Sequence, residues 1–115
     1  MRIALFYGGE DLSLKPLKDA EILGVIDEEQ RVVEQYENPA PELGEEAAIQ
    51  GLLELGVSAV IVKDDTLSES AYRELKGHVK FMRTELNDLY QVLDHLEEIK
   101  GTATDRLEGL EQSTA

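Results

Sequence analysis

Ile3-Ala4-Leu5-Phe6-Tyr7 is apolar at every position and stops at Gly8-Gly9. A run this short, with no polar alternation, reads as a strand covered on both faces, which requires a sheet with layers above and below it. A second unbroken run, Ser58-Ala59-Val60-Ile61-Val62, follows Leu55-Gly56. Between the two runs, Glu21–Asp27 and Arg31–Glu37 read as strands separated only by a short polar stretch through Glu28-Glu29-Gln30. That spacing predicts an antiparallel hairpin. Asn38-Pro39-Ala40-Pro41 is expected to be neither helix nor central strand, because proline removes a backbone donor and restricts its predecessor.

The period then changes. Ala48, Ile49, Leu52, Leu53 and Leu55 recur at helical spacing and Gly56 stands where a C-terminal cap belongs, predicting a helix from about Gly44 to Leu55. Thr66 and Glu69 have capping-box spacing at the head of a second helix with Leu67, Ala71 and Leu75 on one face, closed by Gly77. His78–Met82 reads as a short strand. Thr84 is placed to cap a third helix whose apolar stripe is Leu86, Leu89, Tyr90, Leu93 and Leu96, with Tyr90 in the core. Residues 99–115 show no sustained period and are expected to be a flexible tail, leaving one α/β domain over 1–98. The order β-β-β-α-β-α-β-α implies right-handed crossovers and parallel pairing in the second half. The predicted architecture is a three-layer α/β/α domain on a five-stranded mixed sheet of order 3-2-1-4-5.

Charge excludes several function classes. With 25 acidic against 11 basic residues the formal net charge is −14. Such a surface repels phosphate backbones and anionic lipid, so neither nucleic acid nor membrane is an expected partner. The chain has no cysteine, which removes disulfides, thiolate ligands and cysteine nucleophiles together. No leader-like or membrane-length apolar segment is evident, so a cytoplasmic protein is the expectation.

The candidate site follows from the long segment Gly8–Ala20, which has no clear period. Long irregular segments in compact domains are usually functional or disordered. In open sheets of this type ligands bind outside the carboxyl ends of the strands, where strand order reverses. The expected crevice therefore lies between the first and fourth strands, with Gly8 and Gly9 at one wall, Lys63-Asp64-Asp65-Thr66 facing them, and Arg83-Thr84 one strand further. Ser13 joins this set. Glu10, Asp11, Asp64 and Asp65 would converge there as a weak Mg²⁺ site, although Asp64 and Asp65 also stand where a helix N-terminus favours negative charge. Lys15, Lys18 and Lys63 are placed to orient an anion, or are simply solvated. His78 and His95 read as surface residues. The chain has no phosphate-loop or dinucleotide motif, no nucleophile elbow, and no acidic residue on the first strand such as nuclease chemistry would need.

In MRIAL, EILGVIDEEQRVVEQYENP and LLELGVSAVIVKD, taken in that order and spacing, the chain resembles the nitrogenase iron–molybdenum cofactor biosynthesis family, the small NifX-type and NifB C-terminal-type domains. The resemblance covers about residues 1–98 and implies a ribonuclease-H-like fold. It also implies a non-enzymatic carrier or accessory role whose ligand is an iron–sulfur or iron–molybdenum cofactor species. Members usually carry Ser-x-His-Phe-Gly after the first strand. Here Ser13 matches the serine, and Lys15-Pro16-Leu17 or Pro16-Leu17-Lys18 stands in place of the His-Phe-Gly triplet.

The expected function is thus a small binding or accessory protein that meets a metal-cofactor precursor or a protein partner, as a monomer or weak homodimer. The rival readings are a Mg²⁺-dependent phosphoryl-transfer or nucleotide-binding domain and a pure protein-interaction module.

Overall fold

The structure is a computed structural model and describes residues 1–107. Five strands form one sheet: β1 (Arg2–Tyr7), β2 (Ile22–Asp27), β3 (Val32–Glu37), β4 (Ala59–Val62) and β5 (Lys80–Arg83). Their order is β3-β2-β1-β4-β5. β1 pairs antiparallel with β2 in a register that sets Leu5 opposite Gly24, and β2 continues antiparallel into β3. β1 and β4 run parallel through Ile3–Ala59 and Ala4–Val60, and β4 runs parallel to β5. The expected sheet, its mixed character and its order are all observed.

The pleat of β1 divides the core. Ala4 and Phe6 face one side with Leu23, Val25, Val60 and Phe81, where α2 (Glu45–Glu54) and α3 (Glu69–Leu75) cover them through Ala48, Ile49, Leu52, Ala71, Tyr72 and Leu75. Ile3, Leu5 and Tyr7 face the other side with Ile26, Ala59, Ile61 and Met82, under α4 (Leu89–Asp94) and α5 (Leu96–Lys100). A strand buried on both faces needs apolar residues at every position, and β1 supplies them from Ile3 to Tyr7.

Several local expectations are corrected. The proline-rich stretch does form a helical turn, α1 (Ala40–Leu43), with Pro39 at its N-cap and Pro41 in its first turn. The first turn of a helix has no partner for its N–H groups, so proline costs nothing there. Asn38 reinforces this start: its Oδ1 accepts from the Ala40 amide at 3.1 Å. The α3 cap is Ser68, whose side chain accepts from the Ala71 amide, while the Thr66 hydroxyl closes a turn by accepting from the Lys63 amide at 2.8 Å.

The single third helix expected from Thr84 is two short ones. Asp88 caps α4 by accepting from the Gln91 amide, and the chain breaks at His95 before α5 with neither glycine nor proline to mark it. With the start moved to Leu89, the inward residues are Leu89, Val92 and Ile99, and Tyr90 is rotated out to 65% exposure rather than into the core. Among the described residues the element order therefore contains five helices.

The boundary drawn at residue 98 falls inside α5, and the chain stays on the domain afterwards. Phe81 and Thr104 exchange both backbone hydrogen bonds, adding a short antiparallel bridge along the outer edge of β5. Leu107 is buried, and its amide donates to the Tyr72 hydroxyl at 3.1 Å. Residues 108–115 of the expected tail lie outside the described residues. Among the described residues no helix is long and apolar enough to cross a membrane.

Candidate functional site

The segment after β1 is ordered and occupies the place where the crevice was expected. Gly8 to Leu12 turn back on themselves, with the Leu12 amide donating to the Gly8 carbonyl and Leu12 in the left-handed region at φ 59°. The returning chain then pairs with the end of β1. Gly8 donates to Ser13, Lys15 donates to Phe6 at 3.1 Å, and Tyr7 and Leu14 form an antiparallel bridge. Beyond this, Leu14 donates to the Asn87 carbonyl and Leu17 to the Thr66 carbonyl at 2.9 Å. The pairing of β1 with β4 is registered only at Ile3–Ala59 and Ala4–Val60. Past that point the strap Leu12–Leu17 fills the gap between the two strands with its own backbone, anchored by Leu17, which is fully buried. It is a wall, as expected, but the notch between the first and fourth strands is closed.

The residues placed on the strap face their own chain. A Cβ on Gly8 would stand 2.9 Å from Cε of Lys15, so the close neighbour that this glycine admits is the Lys15 stem. The Gly9 amide donates to Glu21 Oε1. The amide and hydroxyl of Ser13 both donate to Asp11 Oδ1, at 3.0 and 2.7 Å, and these bonds hold the Asp11 carboxyl below the usual aspartate range.

The open surface lies one strand further along. Val62, Lys63, Asp64, Arg83, Thr84 and Glu85 line a cleft of about 350 Å³ at the carboxyl ends of β4 and β5. The parallel pairing of these strands puts Val62 beside Arg83, and the Thr84 amide donates to the Val62 carbonyl at 3.0 Å. Four residues expected at the site, Lys63, Asp64, Arg83 and Thr84, are thus brought together. Arg83 and Thr84 also form the near wall of a second cleft of about 270 Å³ that runs on to Leu86, His95, Glu98 and Thr102. Thr102 fixes the Arg83 backbone by accepting from its amide at 3.0 Å. The guanidinium itself is loosely held: Nη2 is 3.8 Å from Asp64 Oδ1, and the two side chains are 53% and 99% exposed. Lys63 Nζ reaches Asn87 Oδ1 only at 3.5 Å. Two cations with weak internal partners, Lys63 and Arg83, therefore line one cleft of a strongly acidic protein.

The expected carboxylate centre does not form. Glu10 sits in the exposed turn after β1, and Asp64 leans toward Arg83. Among the described residues no group of three or more histidine, aspartate or glutamate side chains is placed to hold a metal ion. His95 lies within 3.6 Å of Glu98 at the α4–α5 break, whereas His78 lies in the turn between α3 and β5. With no cysteine in the chain, the donors at this site do not fit a cluster ligated by the protein's own thiolates. What the cleft offers is the charge of Lys63 and Arg83 and the hydroxyl of Thr84, set against the carboxylates of Asp64 and Glu85 on the same walls.

Asn87, His95 and Thr102 were not among the expected site residues. Thr102 carried no periodic signal, and Asn87 and His95 join the site only because the third helix starts late and breaks.

No protein-family model and no curated protein sequence gives a significant match to this chain. Solved structures do match. A Thermotoga protein described as a candidate NifB protein of the DUF35 family, solved by NMR, is 28% identical, covers 84% of this chain and 87% of its own, and superposes with a TM-score of 0.66. The apo orange protein of Desulfovibrio gigas is 20% identical over 90% of each chain, with a TM-score of 0.71. A candidate dinitrogenase of Methanocaldococcus jannaschii is 16% identical over 90% of this chain and 92% of its own, with a TM-score of 0.65. The last two share the fold. The first adds sequence similarity to a nitrogenase-cofactor-related protein.

Proposed function

We propose that this chain is a small carrier or accessory protein for a metal-cofactor precursor, which it holds as cargo without covalent ligation. The observation that carries the reading is the presence of both Lys63 and Arg83 on the walls of one open cleft at the carboxyl ends of β4 and β5. Similarity in sequence and fold to the NifB-type Thermotoga protein supports the class of cargo. An anionic iron–sulfur or iron–molybdenum species would be drawn to the two cations, while Thr84 and the neighbouring backbone would supply hydrogen bonds. Asp64 opposes the cargo by engaging Arg83, which keeps the grip weak enough for release.

The test is anaerobic incubation with iron(II) and sulfide, followed by desalting and absorption spectroscopy. A charge-transfer band should travel with the protein. It should be lost in the Lys63→Ala/Arg83→Ala double variant and strengthened about two- to fivefold in Asp64→Asn, the range expected for an exposed ion pair. A band that never survives desalting, or one indifferent to these substitutions, would defeat the proposal.

A further inference from the structure

A third open feature lies at the opposite end of the sheet, beside the β2–β3 hairpin turn. It is an apolar groove of about 320 Å³ between that turn and the helix pair α4–α5, with Ile26, Val33, Leu93 and Leu96 on its walls. Leu93 is 38% exposed, and Tyr90, one turn earlier on the same face of α4, is 65% exposed. The groove thus opens onto an apolar ridge that continues along α4. Val32, 44% exposed, extends it on the hairpin side. Large apolar side chains left together at a concave surface mark a docking site more often than chance exposure does.

Charge decides between occupants. Asp94 follows Tyr90 by four residues in α4, so a carboxylate flanks the ridge. Glu97, in the first turn of α5 next to the groove residue Leu96, is 88% exposed. Glu29 is exposed at the hairpin turn. Among the described residues Arg31 is the one cation on the groove wall, and Lys100 nearby is held by Glu28 at 2.7 Å and more loosely by Glu97 at 3.5 Å. A second copy of the chain carries the same net charge of −14 and would set Asp94 and Glu97 against their equivalents. We propose that this groove receives a cationic amphipathic helix of a partner protein, with apolar residues at helical spacing in the groove and lysine or arginine beside Asp94 and Glu97. The surface is separate from the cleft at Lys63 and Arg83, so the proposal does not rest on the nature of the cargo.

The probe is a synthetic amphipathic helix of leucine and lysine about five turns long, with a leucine–glutamate peptide of the same pattern as control. Each is titrated into the full, isotope-labelled chain by NMR. The basic peptide should shift the amides of Val33, Leu93 and Leu96, and the acidic one should not. Leu93→Asp should weaken binding about tenfold or more. Val32→Asp, at an exposed position, serves as a second variant should Leu93→Asp lose its native circular dichroism. Binding that is absent, indifferent to both substitutions, or equal for the two peptides overturns the proposal. So does a dimer in sedimentation that Leu93→Asp dissolves, which would assign the groove to self-association.

Discussion

The side-chain amide of Asn38 donates to the carbonyl of Leu17 at 2.7 Å, and the same nitrogen reaches the Ala20 carbonyl at 2.9 Å. One buried residue at the end of β3 therefore holds the far end of the strap and starts α1. Asn38→Ala leaves both carbonyls and the Ala40 amide without a partner, and buried unmet groups cost about 1–3 kcal/mol. The expected result is a loss of about 2–3 kcal/mol in urea unfolding, together with faster hydrogen exchange at the Leu17 amide. A neutral Asn38→Ala would mean that water replaces the side chain.

Gly24 sits under the Tyr7 ring, and a Cβ added there would stand 2.6 Å from its Cε1. Gly24→Ala should cost about 1–3 kcal/mol by overpacking. Tyr7 is fully buried and its hydroxyl accepts from Gln35, so it has nowhere to move. In a double-mutant cycle, Tyr7→Val should remove most of the Gly24→Ala penalty, which would identify the ring as its source.

Arg2 Nη2 donates to Glu34 Oε1 at 2.7 Å, and the Tyr36 hydroxyl donates to the same oxygen. The bond from Arg2, then that from Tyr36, holds the Glu34 carboxyl below the usual glutamate range. A carboxyl with a depressed folded pKa stabilises the fold above its unfolded value, near about 4.3. That contribution disappears as pH falls through the lower folded value. Chemical denaturation as a function of pH should therefore show an acid-side loss of stability that is shallower in Glu34→Gln. Identical slopes for the two proteins would show that the pair contributes nothing.

Leu107 is buried, and its amide is bonded to Tyr72, beyond the point where the sequence pattern fades. Leu107→Ala should cost about 2 kcal/mol, the low end for a leucine deletion at the margin of a core. Thermal unfolding would record this as a lower Tm, and a flexible segment at residue 107 would show no change.

The parts of the fold that were legible in the sequence are those whose burial is two-sided. Ile3–Tyr7 and Ala59–Val62 could be read because an unbroken apolar run this short, bounded by glycine or polar residues, suits a buried strand and is too short for a buried helix. The hairpin could be read from the short polar gap between two strand-like runs. The helix after Asp88 was misread because Leu86 and Tyr90 match a helical stripe in sequence while one precedes the helix and the other faces solvent. Periodicity cannot say which side of a short amphipathic helix meets the sheet. Lys63, Asp64, Arg83 and Thr84 came together because parallel neighbours must end side by side. Gly8, Gly9 and Ser13 did not reach that cleft because their hydrogen bonds are spent within the strap and on Glu21, which no local pattern reveals.

The strap wedged between β1 and β4 has one lasting consequence. By stitching Phe6 to Lys15 and Thr66 to Leu17, it fills the space between β1 and β4 with backbone among the described residues. On the proposed reading, a cargo at Lys63 and Arg83 would rest on an open ledge at the ends of β4 and β5, reached from solvent without passing the strap.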